Sequence, residues 1–270
     1  MSQNTLDKQE KLIADPPPQA EAVAQEIVAE TPAAQHTLRQ LAARRATSAL
    51  TLIAALGLFL LWLPESNRNL LVRSLIANRF LIILLLLFAA VGMSLLWTKG
   101  QTLDVWLFKG MNISGYSVKG MDRIMWAATQ IGNVGFALVV AVLSYVLGDH
   151  RFAIGFALGS LTLLLLVTII KAFADRARPF NMMLEARVVG WREAGLSFPS
   201  GHTTQTFFMM TLATLHFQLP LPVAAVLYGI AVLVGITRVY LGVHYPRDVM
   251  AGAILGLIWG TVGMLVAPYL

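Results

Sequence analysis

The stretch FAIGFALGSLTLLLLVTII, residues 152–170, decides the fold. Nineteen residues pass without a charge or a proline, close to the roughly 20 that an α-helix needs to cross the hydrocarbon of a bilayer. Outward from it, further apolar runs of similar length lie at 46–63, 80–97, 131–147, 203–217, 222–239 and 249–266, separated by short polar segments. Composition agrees. The 270 residues are 57% hydrophobic and 13% charged, against about 25% charged in soluble domains. The expected architecture is an all-α polytopic transmembrane helical bundle with six core spans and a seventh N-terminal candidate at 46–63. That first run is barely long enough, and either spans or lies along the interface.

Residues 1–45 contrast with this body. They are rich in Gln, Glu, Ala and Pro, include Pro16-Pro17-Pro18, and hold too few large apolar side chains to bury a core. They read as a disordered tail ahead of a transmembrane domain at 46–270. With no basic start, apolar stretch and small-residue cleavage site in sequence, they do not read as a signal peptide. Cysteine is absent, which excludes a disulfide scaffold and cysteine-ligated metal. The net charge of +6 comes without a Lys/Arg run or a basic face interleaved with aromatics, so no nucleic-acid partner is expected.

Residues 98–130 are amphipathic and of mixed charge, with Trp106, Tyr116 and Trp126 suited to the headgroup zone, and are expected on the membrane surface. Arg68, Arg73, Arg79, Lys99, Lys109 and Arg151 read as cations reaching lipid headgroups, and Arg176, Arg187, Arg192 and Arg247 as solvated or lipid-facing. Asp175 and Glu185 have arginines nearby to pair with. His36, His150 and His216 lack companion motifs and receive no role. Gly252, Gly256 and Gly260 recur every fourth residue, a smooth strip for close helix packing within the chain, with a homodimer as its alternative use.

The remaining charges gather at one set of span ends, where ionisable residues mark function by default. Lys171 and Arg178 follow the 152–170 run, Pro199-Ser200-Gly201-His202 precedes the next, Arg238 ends the one after, and His244 and Asp248 precede the last. Counting crossings puts all of them on one face. Three cations from three clusters make an oxyanion cradle, since arginine presents a planar fork of donors matched to phosphate. Ser200 and Gly201 sit where free N–H groups at a helix start favour an anion and glycine permits close approach. Asp248 follows His244 by four residues, so on a helical turn its carboxylate fixes the imidazole tautomer and leaves the other nitrogen as a lone pair for attack. His244 is then the nucleophile and His202 the general acid toward the leaving oxygen, with a phosphohistidine as intermediate.

Lys171-x6-Arg178-Pro179, Pro199-Ser200-Gly201-His202 and Arg238-x5-His244-x3-Asp248, in this order, resemble the three-part signature of the phosphatidic acid phosphatase type 2 superfamily. The resemblance implies an all-helical membrane phosphatase acting on a lipid phosphate or diphosphate without a metal or other cofactor. His244 would be its nucleophile, His202 its acid and Asp248 the support of His244, with Lys171, Arg178, Ser200, Gly201 and Arg238 on the phosphate. Two features depart from the pattern: Thr237 stands where the family usually has Ser, and the 46–63 run is additional to the usual six spans. Expected substrates are phosphatidic acid, phosphatidylglycerol phosphate or undecaprenyl diphosphate, drawn from the bilayer. The resemblance also implies a bacterial inner membrane with the site on its outer, periplasmic face, although Arg39, Arg44 and Arg45 before the first run argue for the opposite orientation. A lipid phosphotransferase would use the same site with an alcohol acceptor. A lipid or anion transporter is the alternative of another class, disfavoured because the charges collect at span ends on one side and no internal repeat is visible.

Overall fold

A computed structural model describes residues 77–112 and 119–266 of the chain, with isolated positions between 47 and 73. The tail at 1–45 and most of the 46–63 run lie outside the described residues, as do the side chains of Arg68 and Lys99.

Among the described residues all regular structure is helical. Helix α1 spans Arg79–Ser94, α2 Thr98–Asn112, α3 Lys119–Thr129, α4 Val134–Val146, α5 His150–Ala174, α6 the single turn Pro179–Met182, α7 Gly201–His216, α8 Leu221–Tyr240 and α9 Pro246–Val266. Local signals place the ends. The side chains of Asn78, Asn133 and Asp149 accept from the first-turn amides of α1, α4 and α5, at 3.1, 2.9 and 3.0 Å, satisfying donors that a helix start leaves without partners. Asp175 stops α5 in the left-handed region at φ 41°, and Pro222 opens α8.

Six of the seven apolar runs are thus helices, with ends within a few residues of those expected. Helices α5, α8 and α9 are each long and apolar enough to cross a membrane, and the segments Gly120–Gly132 and Val134–Val146 do so together, bent by 53°. At 16 residues each, α1 and α7 are shorter.

The segment expected on the membrane surface is built differently. Gly100, Asp104, Phe108 and Asn112, four residues apart, form one buried stripe of α2, so the helix turns polar groups into the protein. Arg79 and Arg151 are exposed as expected, whereas Lys109 is joined to Glu185 at 3.1 Å.

Helix α7 is the centre of the bundle, burying Phe207, Phe208, Met209, Met210 and Leu212 against α4, α5 and α8. On its other side lies α9, and here the glycine strip is used within the chain. A methyl added at Gly252 would lie 2.7 Å from the Ser200 carbonyl oxygen, and one at Gly256 2.5 Å from that of Thr204. At Gly260 it would lie 2.6 Å from Thr211 Cβ, so only glycine lets the two backbones meet along this line. The contact continues to the helix starts, where the Ser200 amide donates to the Asp248 carbonyl at 2.9 Å.

Candidate active site

The close α7–α9 contact brings two helix starts together, and the ends of α5 and α8 reach the same level. Lys171 on the last turn of α5, Arg178 after it, Ser200, Gly201 and His202 at the start of α7, Arg238 on the last turn of α8, and His244 and Asp248 around the start of α9 therefore converge. All eight residues singled out from the sequence meet at one end of the bundle. Most are withdrawn from solvent: Arg178 and Arg238 are 2% exposed, His244 1%, and Ser200 and Asp248 not at all.

Arg178 ties two loops together. It donates from Nε to the Gly195 carbonyl at 3.1 Å, from Nη2 to that of Ala194 at 3.3 Å, and from Nη1 to that of Val243 at 3.2 Å. Its Nη1 also lies 3.4 Å from His244 Nε2. Arg238 donates from Nη1 to the Thr129 hydroxyl at 2.8 Å, while its buried Nε has no acceptor among the described residues. A buried donor without a partner is costly, and an anion oxygen would supply what Nε lacks. The charge of Lys171 bears on Arg178, Arg238, Glu193 and Asp248, completing the cationic set. Ser200 is already engaged, its hydroxyl accepting from Thr203 at 2.9 Å. Thr237 donates to the Val234 carbonyl of its own helix at 2.6 Å.

The histidine–aspartate pair differs from the expected direct contact. His244 Nδ1 and Asp248 Oδ2 are 3.6 Å apart, beyond hydrogen-bond range. Ser197 stands between them, its hydroxyl 3.4 Å from Nδ1 and donating to Asp248 Oδ2 at 2.5 Å. The Tyr245 amide donates to the same oxygen at 2.8 Å, and Arg176 Nη1 to Oδ1 at 2.6 Å. Nδ1 therefore faces the carboxylate side and Nε2 the cations. Burial first, then the charges of Arg178, Arg238 and Lys171, hold the His244 imidazole well below its ordinary value of 6.5, against the opposing pull of Glu193. These surroundings favour the neutral ring over the imidazolium.

Arg176 and Arg247, read from the sequence as solvated or lipid-facing, are instead buried in an ion network. Arg176 joins Asp248 to Asp104 of α2, and Arg247 donates to Asp104 from its amide at 3.0 Å and from Nε at 2.9 Å. Two cations balance two carboxylates, which is how charges are tolerated away from water. Arg187 is likewise not free: it reaches Asp122 at 2.7 Å and lies over the Tyr240 ring. Arg192 is exposed as expected.

Sequence reasoning missed Asp104, Ser197 and Glu193. Asp104 shares a stripe repeating every four residues with Gly100, Phe108 and Asn112, but the sequence does not say what that stripe meets. Ser197 and Glu193 sit in a loop without periodicity, where only the folded chain shows what they touch. The Glu193 carboxylate lies among the cations, paired with Arg178 at 3.0 Å and with Arg238, and 3.8 Å from His202 Nδ1.

A groove of about 440 Å³ leads from this site between α4 and α5. Ala137, Leu138, Phe156 and Leu164 line it together with His202 and Gln205 of α7, so an apolar wall adjoins one of the motif histidines. Among the described residues no group of three His, Asp or Glu side chains is placed to hold a metal ion.

Known proteins resemble this chain in sequence and fold. The PAP2 superfamily pattern matches residues 152–270. The chain is 31% identical over 156 residues to phosphatidylglycerophosphatase B of Bacillus subtilis, covering 51% of this chain and 71% of that protein. It is 28% identical over 180 residues to an undecaprenyl-diphosphatase of Sulfolobus acidocaldarius, covering 64% and 84%. Its fold matches the crystal structure of the transmembrane PAP2-type phosphatidylglycerolphosphate phosphatase of Bacillus subtilis with a TM-score of 0.60 at 25% identity, over 70% of this chain and 96% of the other. Aquifex aeolicus LpxE matches with a TM-score of 0.54, also at 25% identity, over 60% and 95%. With the three motifs gathered at one end of an apolar helical bundle, and with this likeness in sequence and fold, the chain belongs to the PAP2 superfamily as an integral-membrane phosphatase.

Proposed function

We propose that the protein removes the terminal phosphate of a lipid phosphate or diphosphate through a phosphohistidine on His244. One observation carries this reading: the two nitrogens of a buried, neutral imidazole face opposite ways, Nε2 toward Arg178 and Nδ1 toward Ser197 and Asp248. The lone pair of Nε2 is thereby aimed into the cationic cradle, the position of an in-line nucleophile. Nε2 attacks phosphorus, the bond to the lipid oxygen breaks, and His202 gives that oxygen its proton. Water, losing a proton to His202, then cleaves the P–N bond and releases inorganic phosphate. Lys171, Arg178 and Arg238, with Ser200 and Gly201 at the start of α7, stabilise charge on the equatorial oxygens during both transfers. Asp248 acts on His244 chiefly through Ser197, holding the tautomer that leaves Nε2 unprotonated.

The groove between α4 and α5 fits a hydrocarbon tail, which favours phosphatidic acid, phosphatidylglycerol phosphate or undecaprenyl diphosphate as substrate. The relatives named above act on the second and third of these. The reading places the enzyme in a bacterial inner membrane with the site on its periplasmic face. The test is phosphate release by detergent-purified protein from these three lipids, with EDTA present and His244→Ala run alongside. The expected result is release by the wild type alone. Failure on all three, or release by His244→Ala, would overturn the reading.

A further inference from the structure

Glu193 presents a puzzle for a phosphate-binding site, because its carboxylate already occupies the cradle. It lies 3.0 Å from Arg178, pairs with Arg238, and sits 3.8 Å from His202 Nδ1. These are the groups assigned to the phosphate and to the leaving oxygen. Burial alone would raise its pKa, yet Arg238, His202, His244 and Arg178 outweigh that and hold it at about 2, so it is an anion throughout any working pH.

The backbone around it is suited to carry a displaceable group. Glu193 stands midway between Gly190 and Gly195, both in the left-handed region at φ 87° and 82°. Outside these glycines the chain is fastened on both sides. The Val189 amide donates to the Leu241 carbonyl at 3.2 Å, and the Ser197 amide to that of Arg176 at 2.7 Å. Between the anchors, Trp191 and Arg192 are exposed and Glu193 itself is 29% exposed. Its carboxylate therefore has a short way to water by a swing of the side chain, which leaves the Ala194 and Gly195 carbonyls on Arg178 and the Ser197 anchor in place.

Resting on the phosphatase reading above, we infer that Glu193 is a specificity-determining residue: an internal counter-anion that reserves the cradle for lipids with a terminal phosphate. Three cations facing a bilayer would otherwise take up the phosphodiester headgroups that surround the protein in large excess. A phosphodiester carries one negative charge and offers the arginines little more than the carboxylate does. A terminal phosphate approaches two charges at neutral pH and has three free oxygens, enough to satisfy Arg178, Arg238 and the unpartnered Arg238 Nε together. Displacing Glu193 is thus favourable for a substrate and not for a bulk lipid.

The experiment compares wild type, Glu193→Gln and Glu193→Asp in detergent, using orthovanadate and phosphatidylglycerol as ligands. Glu193→Gln keeps the shape and removes the competing charge, while Glu193→Asp keeps the charge. Binding is read twice, as inhibition of phosphate release and as the ligand-induced shift of the thermal unfolding midpoint, the second needing no turnover. Loss of charge-assisted bonds between Glu193 and two arginines predicts vanadate binding about tenfold tighter in Glu193→Gln. It also predicts inhibition of that variant by phosphatidylglycerol at concentrations without effect on wild type or Glu193→Asp. Unchanged vanadate affinity, or equal phosphatidylglycerol sensitivity in all three proteins, would overturn the assignment. Wild type that neither releases phosphate nor binds vanadate would overturn the underlying phosphatase reading instead.

Discussion

The motif-bearing region, from Lys171 to Asp248, and the α2–α3 region ahead of it differ in how their polar residues work. In the first, side chains point at a common focus and leave binding capacity open, as Arg238 Nε does. In the second, every buried polar group is spent on holding the first in position. Asp104 accepts from Arg176 and Arg247, the Thr129 hydroxyl accepts from Arg238, and Asn112 clamps the Arg187 and Tyr240 carbonyls at 2.8 Å each while accepting from the Arg187 amide at 2.9 Å. A cationic site near lipid needs such a frame, because unpaired arginines there would either reach for headgroups or repel one another.

The contrast can be tested from its strongest expected effect downward. Asp248→Asn keeps the shape but removes the charge that orients His244 through Ser197, and kcat should fall about 10³-fold or more while vanadate affinity changes far less. Equal loss in both would make Asp248 part of the cradle. In the wild type, the depressed pKa of His244 means that its neutral form persists below the ordinary 6.5. The acid limb of kcat/KM should therefore lie below that value, as a pH profile would show.

In the supporting region, Asp104→Ala strands Arg176 and Arg247 in a buried network and should cost about 3–5 kcal/mol of stability, read from denaturant unfolding in detergent. Asn112→Ala leaves two carbonyls and one amide without their partner and should cost about 1–3 kcal/mol by the same measurement. Lys109→Ala, on the outward face of the same helix, removes an exposed pair with Glu185 and should cost less than about 1 kcal/mol. If Asp104→Ala proved as mild as Lys109→Ala, α2 would be a covering and not a frame.

The two regions were also unequally legible. Apolar runs give away helices wherever they face lipid, so the six core helices could be placed closely. The eight motif residues could be found because chemistry fixes both their types and their spacing. Asp104 escaped because a single carboxylate in an amphipathic segment looks the same whether it meets water or an arginine from 72 residues away. Arg176 and Arg247 were misjudged for the complementary reason. Ser197 lies three residues before the recognised Ser200, and nothing in its neighbours says that the chain carries it between His244 and Asp248.

The glycine contact between α7 and α9 has a consequence for anyone wishing to redesign the enzyme. His202 and Asp248 begin two helices whose spacing is set by glycines lying directly against the backbone and Cβ atoms of the facing helix. The lining of the groove belongs mainly to α4 and α5, with Gly201, His202 and Gln205 contributed by α7. Substitutions at Ala137, Leu138 or Leu164 are therefore expected to reshape the groove without altering the spacing of α7 and α9. The α4–α5 wall of the groove and the α7–α9 contact are built from different residues, so libraries directed at Ala137, Leu138 and Leu164 can be screened with the motif residues left untouched.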